Sequence, residues 1–245
     1  MWAHAGFESR AAEDELQLFS WVGLDGVRLV RYDAPGHGLS RPVRSERDVD
    51  VAELGRLLVA VAAAAGCRRF VAGGRSMGST AAVWAATLAP REVCGLLAVM
   101  PHTAWEYDKR RTTPPGLEPV AAVVERGGVE AFARHIESVA PPPALAALGA
   151  RARGPVADAV RAADPASVVR LLRATSGWRL PPRAQVAALT VPALVVAIPD
   201  DPAHPLAAAE ELVAALPNAE LLVVRTIDEV RGLRRRVHDF VVASA

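Results

Sequence analysis

Cysteine, charge of one sign and long apolar runs are all scarce in this chain. Of 245 residues only two are cysteine, Cys67 and Cys94. They carry no metal-ligand spacing and fall at a helix end and at the approach to a strand. They therefore read as buried free thiols, outside any disulfide framework or thiol centre. The formal net charge is +1, from 28 basic and 27 acidic residues, which gives no electrostatic ground for nucleic acid or an anionic membrane as partner. The basic run Arg234-Arg235-Arg236 reads as a solvated face near the negative end of a C-terminal helix. No apolar run reaches the roughly 18 residues that span a bilayer. The N-terminus has neither the cationic nor the apolar segment of a secretory signal, so a cytoplasmic location is the default expectation.

What is present is a large apolar complement. Hydrophobic residues make up 51% of the chain, much of it alanine, enough for one domain with a sizeable core and against disorder. Apolar strands alternate with helical stretches. Strands are expected over Val27–Tyr32, Phe70–Gly73, Gly95–Met100, Val191–Ile198 and Glu220–Val224, and helices over Val49–Ala65, Ser79–Ala89, Leu206–Leu216 and Glu229–Val242. Continuous apolar strands separated by helices argue for a mostly parallel sheet covered on both faces. Between Pro101 and Thr190 the alternation stops. Short helical patterns at Leu117–Arg126, Val129–Ser138, Pro155–Ala163 and Ala166–Thr175 replace it, punctuated by Pro114-Pro115 and Pro141-Pro142-Pro143. The sheet pattern resumes afterwards, so residues 1–100 and 191–245 read as one core and 101–190 as a helical lid inserted before the last two strands.

The sharpest local signal is Gly74-Arg75-Ser76-Met77-Gly78. A short apolar strand precedes it and an alanine-rich helix follows. A serine on a sharp strand-to-helix turn has its Oγ exposed, and small residues two before and two after let strand and helix approach closely.

Three motifs in order carry a family resemblance. Asp33-Ala34-Pro35-Gly36-His37-Gly38-Leu39-Ser40 resembles the D-x-x-G-x-G-x-S loop of α/β-hydrolases. Gly74 to Gly78 resembles their nucleophile elbow. Ile198 to Pro205 resembles the loop after the penultimate strand, where that family places its catalytic acid. The resemblance covers essentially the whole chain, most loosely in the lid. It implies the α/β-hydrolase fold with Ser76 as nucleophile and the Met77 amide as one oxyanion donor. Asp201 matches the acid position best, with Asp200 as its rival. The second oxyanion donor falls in Trp2-Ala3-His4-Ala5-Gly6-Phe7, at Gly6 or Phe7, with Ala5 where the family has glycine.

Two departures stand out. The chain begins inside what the family makes a central strand, so N-terminal strands look missing. An unprotected strand edge favours an upstream start site, and it offers a homodimer contact. The second departure is the base. The family's histidine follows the last strand, where this chain has Val224-Arg225-Thr226-Ile227-Asp228-Glu229. His238 lies too far along. His204, in the Asp201 loop, and His102, after the strand ending at Met100, are the alternatives, because a base needs only hydrogen-bond reach to Oγ. His37 and His4 are expected to shape their loops, and His135 to be packed or exposed. Phe7, Trp105 and Tyr107 could line an apolar pocket, as could Phe132 and Trp178 of the lid. Arg75 either points its charge toward the nucleophile or pairs with a buried carboxylate such as Asp33.

These readings predict hydrolysis of a carboxylic ester, lactone or thioester of an apolar small molecule, with no metal or organic cofactor. The absent histidine keeps two others open: a non-hydrolytic protein of the same fold, of cyclase or lyase type, and a binding protein.

Overall fold

A computed structural model describes residues 1–18, 24–105 and 117–244. Its centre is a six-stranded sheet, every pairing parallel, in the spatial order β2-β1-β3-β4-β5-β6. The strands are β1 (Trp2–Ala3), β2 (Arg31–Tyr32), β3 (Phe70–Arg75), β4 (Val93–Val99), β5 (Ala193–Ala197) and β6 (Ala219–Val223). Every residue of β3, β4 and β5 is buried, as expected of parallel strands covered on both faces. One face carries α2 (Val51–Ala64) and α3 (Met77–Leu88) and a core of Leu58, Val83, Leu96 and Val195. The other packs Leu97, Val99 and Val196 against Val230, Leu233 and Val237 of the C-terminal helix.

The sheet ends differ from expectation. The strand proposed over Val27–Tyr32 shrinks to Arg31–Tyr32. β1 is only two residues long, yet it is not an edge: it pairs with β2 on one side and β3 on the other. The edge is β2, where the Arg31 side chain bonds Asp14 Oδ1 (2.6 Å) and the Arg10 carbonyl (2.7 Å) of α1 (Arg10–Leu16). That helix has no counterpart in the sequence pattern.

Between β4 and β5 lie α4 (Glu118–Gly127), α5 (Val129–Ser138), a 3-10 stretch (Pro143–Ala152), α6 (Gly154–Ala162), α7 (Pro165–Ala174) and α8 (Arg183–Ala187). The four helices expected here fall within one residue of their positions at each end. They share an apolar cluster of Val124, Phe132, Val160, Val168 and Leu172, against which Phe7 of the core packs. Pro114-Pro115 and Tyr107 lie outside the described residues. After β5 come α9 (Leu206–Ala215), β6 and α10 (Ile227–Ser244). Cys67 and Cys94 are free thiols. Among the described residues no helix is long and apolar enough to cross a membrane.

Candidate active site

Three C-terminal strand ends meet at Ser76. The serine leaves β3 with φ 53° and ψ −114°, a region L-residues avoid, and α3 starts at the next residue. Such strain persists only where the surroundings over-determine it. Here the Ser76 N–H donates to the Val99 carbonyl (2.9 Å), and the Ser76 carbonyl accepts from Ser79 N–H (2.9 Å) and Ser79 Oγ (2.6 Å). The two glycines make the turn sterically feasible. A Cβ on Gly74 would lie 2.3 Å from the Gly78 carbonyl, and one on Gly78 would lie 2.1 Å from the Ala3 carbonyl oxygen.

His204 meets this serine. Its Nε2 lies 2.8 Å from Ser76 Oγ and its Nδ1 lies 2.9 Å from Asp201 Oδ2. The carboxylate can only accept, so Nδ1 carries the proton and Nε2 is left to accept from the serine hydroxyl. A tight turn sets this up: His204 N–H donates to the Asp201 carbonyl (3.0 Å), and Ala203 N–H donates to Asp201 Oδ1 (2.9 Å). Asp200, at φ 62°, turns the chain out of β5. Burial drives the Asp201 carboxyl upward, but the His204 hydrogen bond and charge outweigh it and hold the group below the usual carboxylate range. Asp201 is the carboxylate that meets the imidazole, and its rival Asp200 supplies the turn.

His102 takes another place. Its Nε2 is 3.2 Å from Thr103 Oγ1, and its ring stands edge-on to Trp178 at 5.4 Å and to His204 at 6.3 Å. It lines the cavity beside the serine without reaching Oγ. His238, on α10, bonds the Asp25 carbonyl (3.0 Å).

His4 and His37 lock the N-terminal loop. His4 Nε2 accepts from Ala34 N–H (2.9 Å) and its Nδ1 donates to the Ala5 carbonyl (2.7 Å). His37 Nε2 accepts from Phe7 N–H (3.1 Å) and its Nδ1 donates to the Pro35 carbonyl (2.9 Å). Each ring is thus the neutral tautomer with hydrogen on Nδ1. Burial lowers their pKa values to about 4 and about 3. The Phe7 amide is consumed by His37, so of the two donors expected here Gly6 is the one that remains. Gly6 sits against Met77: a Cβ built on it would be 3.8 Å from Met77 Cβ. The Met77 amide, in the first turn of α3, is one of the donors a helix leaves unpaired. Phe7 itself, at φ 63°, turns its ring edge-on to Phe132 at 5.0 Å.

Arg75 does not pair with Asp33. Asp33 accepts from the Arg10 (2.8 Å) and Leu39 (3.2 Å) amides. The Arg75 guanidinium instead forms a buried ion pair with Glu8. Both line the cavity, and Glu13, held by Trp2 Nε1 at 2.9 Å, lies in the same charge network. Burial raises the Glu8 carboxyl, and Arg75 opposes it. Of the two sequence readings of Arg75, a charge toward the nucleophile or a pair with a buried carboxylate, the structure shows the pair, which a buried guanidinium needs, but with Glu8, which carries no motif of its own.

The cavity in front of Ser76 encloses about 870 Å³. Phe7, Trp105, Phe132, Leu145 and Trp178 make most of its wall apolar. Trp105 is fixed by its indole donating to the Pro181 carbonyl (2.9 Å) and its amide donating to Glu211 Oε2 (3.0 Å).

Comparison with known proteins agrees with this architecture. A model of the alpha/beta hydrolase family matches residues 2–230, and the chain belongs to that family. Among solved structures it is similar to an enol-lactonase from Burkholderia xenovorans LB400, at 18% identity and TM-score 0.81, over 98% of this chain and 91% of that one. A hydrolase from Pseudomonas aeruginosa matches at 22% identity and TM-score 0.76, over 98% and 88%. A thermophilic esterase from Thermogutta terrifontis matches at 16% and 0.76, over 98% and 89%. At these identities the likeness speaks for the fold.

Proposed function

We propose that this chain is a serine hydrolase that cleaves a carboxylic ester, lactone or thioester of an apolar small molecule. The observation that carries the reading is the unbroken hydrogen-bonded chain Ser76 Oγ, His204 Nε2, His204 Nδ1, Asp201 Oδ2, at 2.8 and 2.9 Å. As Ser76 Oγ attacks the carbonyl carbon, its proton passes to His204 Nε2. Asp201 holds the ring and stabilises the imidazolium without taking the proton. The carbonyl oxygen becomes an oxyanion facing the Met77 and Gly6 amides. Collapse breaks the bond to the alcohol or thiol, which leaves with the proton from Nε2, and Ser76 stays acylated. Water then repeats the sequence and releases the acid. The helices between β4 and β5 serve as a cover that keeps the cavity apolar, with Phe7 and Trp105 against the substrate and Arg75 held beneath it by Glu8.

The non-hydrolytic reading rested on a missing base; His204 Nε2 at 2.8 Å from Ser76 Oγ supports the hydrolytic reading over it. The test is a fluorophosphonate probe read by intact mass on the folded protein. One adduct on the wild type, absent from Ser76→Ala and much slower on His204→Ala, is the expected result. No adduct on folded wild type overturns the proposal.

A further inference from the structure

Among the described residues, the charges that line the cavity do not balance. Arg75 is matched by Glu8, and the Asp201 carboxylate is hydrogen-bonded by the neutral His204 ring, which leaves it the one further negative charge. Two more arginines, Arg153 and Arg179, line the same cavity. Among the described residues their hydrogen bonds go to main-chain carbonyls alone. Arg153 Nε and Nη2 donate to Val139 (3.4 Å) and Ala140 (3.3 Å), and Arg179 Nη1 donates to Ser176 (2.9 Å) and Trp178 (2.8 Å).

Arg153 is the better placed of the two. It is half-buried, whereas Arg179 is exposed. Its charge also reaches the catalytic end of the cavity, where it helps keep Asp201 ionised. A guanidinium has five N–H donors. With one hydrogen each from Nε and Nη2 spent on carbonyls, the Nη1–Nη2 edge keeps a planar pair of donors, the geometry that receives two carboxylate oxygens. It shares the cavity wall with apolar residues that include Leu145, Ala152 and Val156. Such walls strengthen a charge pair and make a bare cation costly. A carboxylate, with one charge and two coplanar oxygens, suits one such fork. A phosphate dianion would leave oxygens facing those apolar side chains.

We propose that the substrate carries a free carboxylate in its acyl or alcohol part, and that Arg153 receives it, with Arg179 adding positive potential from the solvent side. This rests on the hydrolase reading and narrows it. The site would discriminate by both signs of the same interaction: an anionic substrate gains a charge-assisted pair, and a neutral one covers a guanidinium without compensating it.

The test uses two matched pairs of esters with the whole chain. p-Nitrophenyl hydrogen adipate against p-nitrophenyl hexanoate places the carboxylate in the acyl part. 4-Carboxyphenyl hexanoate against 4-carbamoylphenyl hexanoate places it in the alcohol part. In at least one pair, wild-type kcat/KM should favour the carboxylate by about 10- to 100-fold, the range of a hydrogen bond to a charged group. Arg153→Gln should cut that ratio at least about tenfold, and Arg153→Lys, which keeps the charge and loses the fork, should fall between. Turnover of the neutral esters with no carboxylate preference in either pair, or a preference that survives Arg153→Gln, overturns this inference and leaves the hydrolase reading standing. No turnover of any of the four by folded protein overturns both.

Discussion

The loop after β5 and the loop after β6 leave the same end of one parallel sheet, and they are built for different work. The first turns sharply at Asp200, folds Asp201 and His204 onto each other within four residues, and presents the ring to a serine 128 positions away. The second is a helix start. Thr226 Oγ1 accepts from Glu229 N–H (3.3 Å), and Glu229 Oε2 accepts from Arg225 N–H (2.6 Å) and Thr226 N–H (3.1 Å). The pattern Thr-x-x-Glu is a capping box, whose side chains are spent on the backbone of α10. A family resemblance directs attention to the second loop for the base. The physical requirement is weaker than the family habit: a ring nitrogen near Oγ and a carboxylate behind it. Putting both groups in one loop satisfies that requirement with a single local turn.

The largest effects should come from breaking the first loop. His204→Ala and Ser76→Ala should each lower kcat on an activated ester by about 10⁴- to 10⁶-fold, and the double variant should be no worse than either alone, because the groups act as a unit. Steady-state kinetics of the three proteins tests this, and additive losses would mean that the two residues do not cooperate. Asp201→Asn should cost about 10³- to 10⁴-fold, since the amide can no longer hold the productive tautomer. Asp200→Asn should cost far less, a side chain that tolerates φ 62° being kept.

The floor beneath the loop ranks next. Glu8→Gln leaves the Arg75 guanidinium buried without its ion-pair partner. A broken buried pair typically costs about 3–5 kcal/mol, readable as a lower urea midpoint. Removing both charges, Glu8→Gln with Arg75→Met, should recover much of that loss. Equal destabilisation by the single and double variants would show that packing, not charge, is what the pair supplies.

Much of this arrangement is legible in the residues, and the illegible parts share a cause. The elbow announces itself because strain, strand and helix are all local, and Gly74 is required by its contact with Gly78 four residues on, although Gly78 itself is required by the Ala3 carbonyl of β1. The helix over Val129–Ser138 is readable to its ends. Asp201 and His204 read as one turn, but that the turn reaches Ser76 depends on β3, β4 and β5 lying side by side. Glu8 stays hidden because nothing in its neighbourhood marks it, and only the folded core brings Arg75 to it. β2 reads long because Val27 to Val30 have strand-like side chains, yet only Arg31 and Tyr32 find a ladder partner in β1, itself two residues long.

Histidine use sharpens the contrast further. His204 has both ring nitrogens on side chains, Ser76 and Asp201, whereas His4 and His37 are held neutral by the backbone groups they bridge. Their pKa values, about 4 and about 3 against an ordinary 6.5, have a definite sign. Above pH 6.5 both states of the chain hold these rings neutral and no cost arises. As the pH falls from 6.5 toward 4 the unfolded chain binds protons that the folded chain refuses, so stability declines by up to ~1.4 kcal/mol per histidine per pH unit. Asp201, with its carboxyl held low, adds a loss only at lower pH, as the solution passes below the ordinary carboxylate range. Denaturant midpoints at pH 7, 6 and 5 should therefore drop between 6 and 5, and His37→Asn should flatten part of that slope. A flat profile through this range would mean that the two rings can take up protons in place.

The smallest effect belongs to the second loop, and it separates the two assignments most cleanly. Thr226 stands near where the family's base would fall, but its hydroxyl caps α10. Thr226→Ala should remove about 1 kcal/mol of stability, the usual worth of an N-cap, and leave kcat/KM on an activated ester within about twofold of wild type. Placing a histidine there, Thr226→His in the His204→Ala background, should restore little turnover. Asp201 holds its proton acceptors toward a ring on its own turn, and nothing in the capping box frees position 226 to reach it. Recovery of a tenth or more of wild-type kcat by that double variant would show that the two loops are interchangeable carriers of the base, and that the local turn around Asp201 is one solution among several rather than the feature that makes this site work.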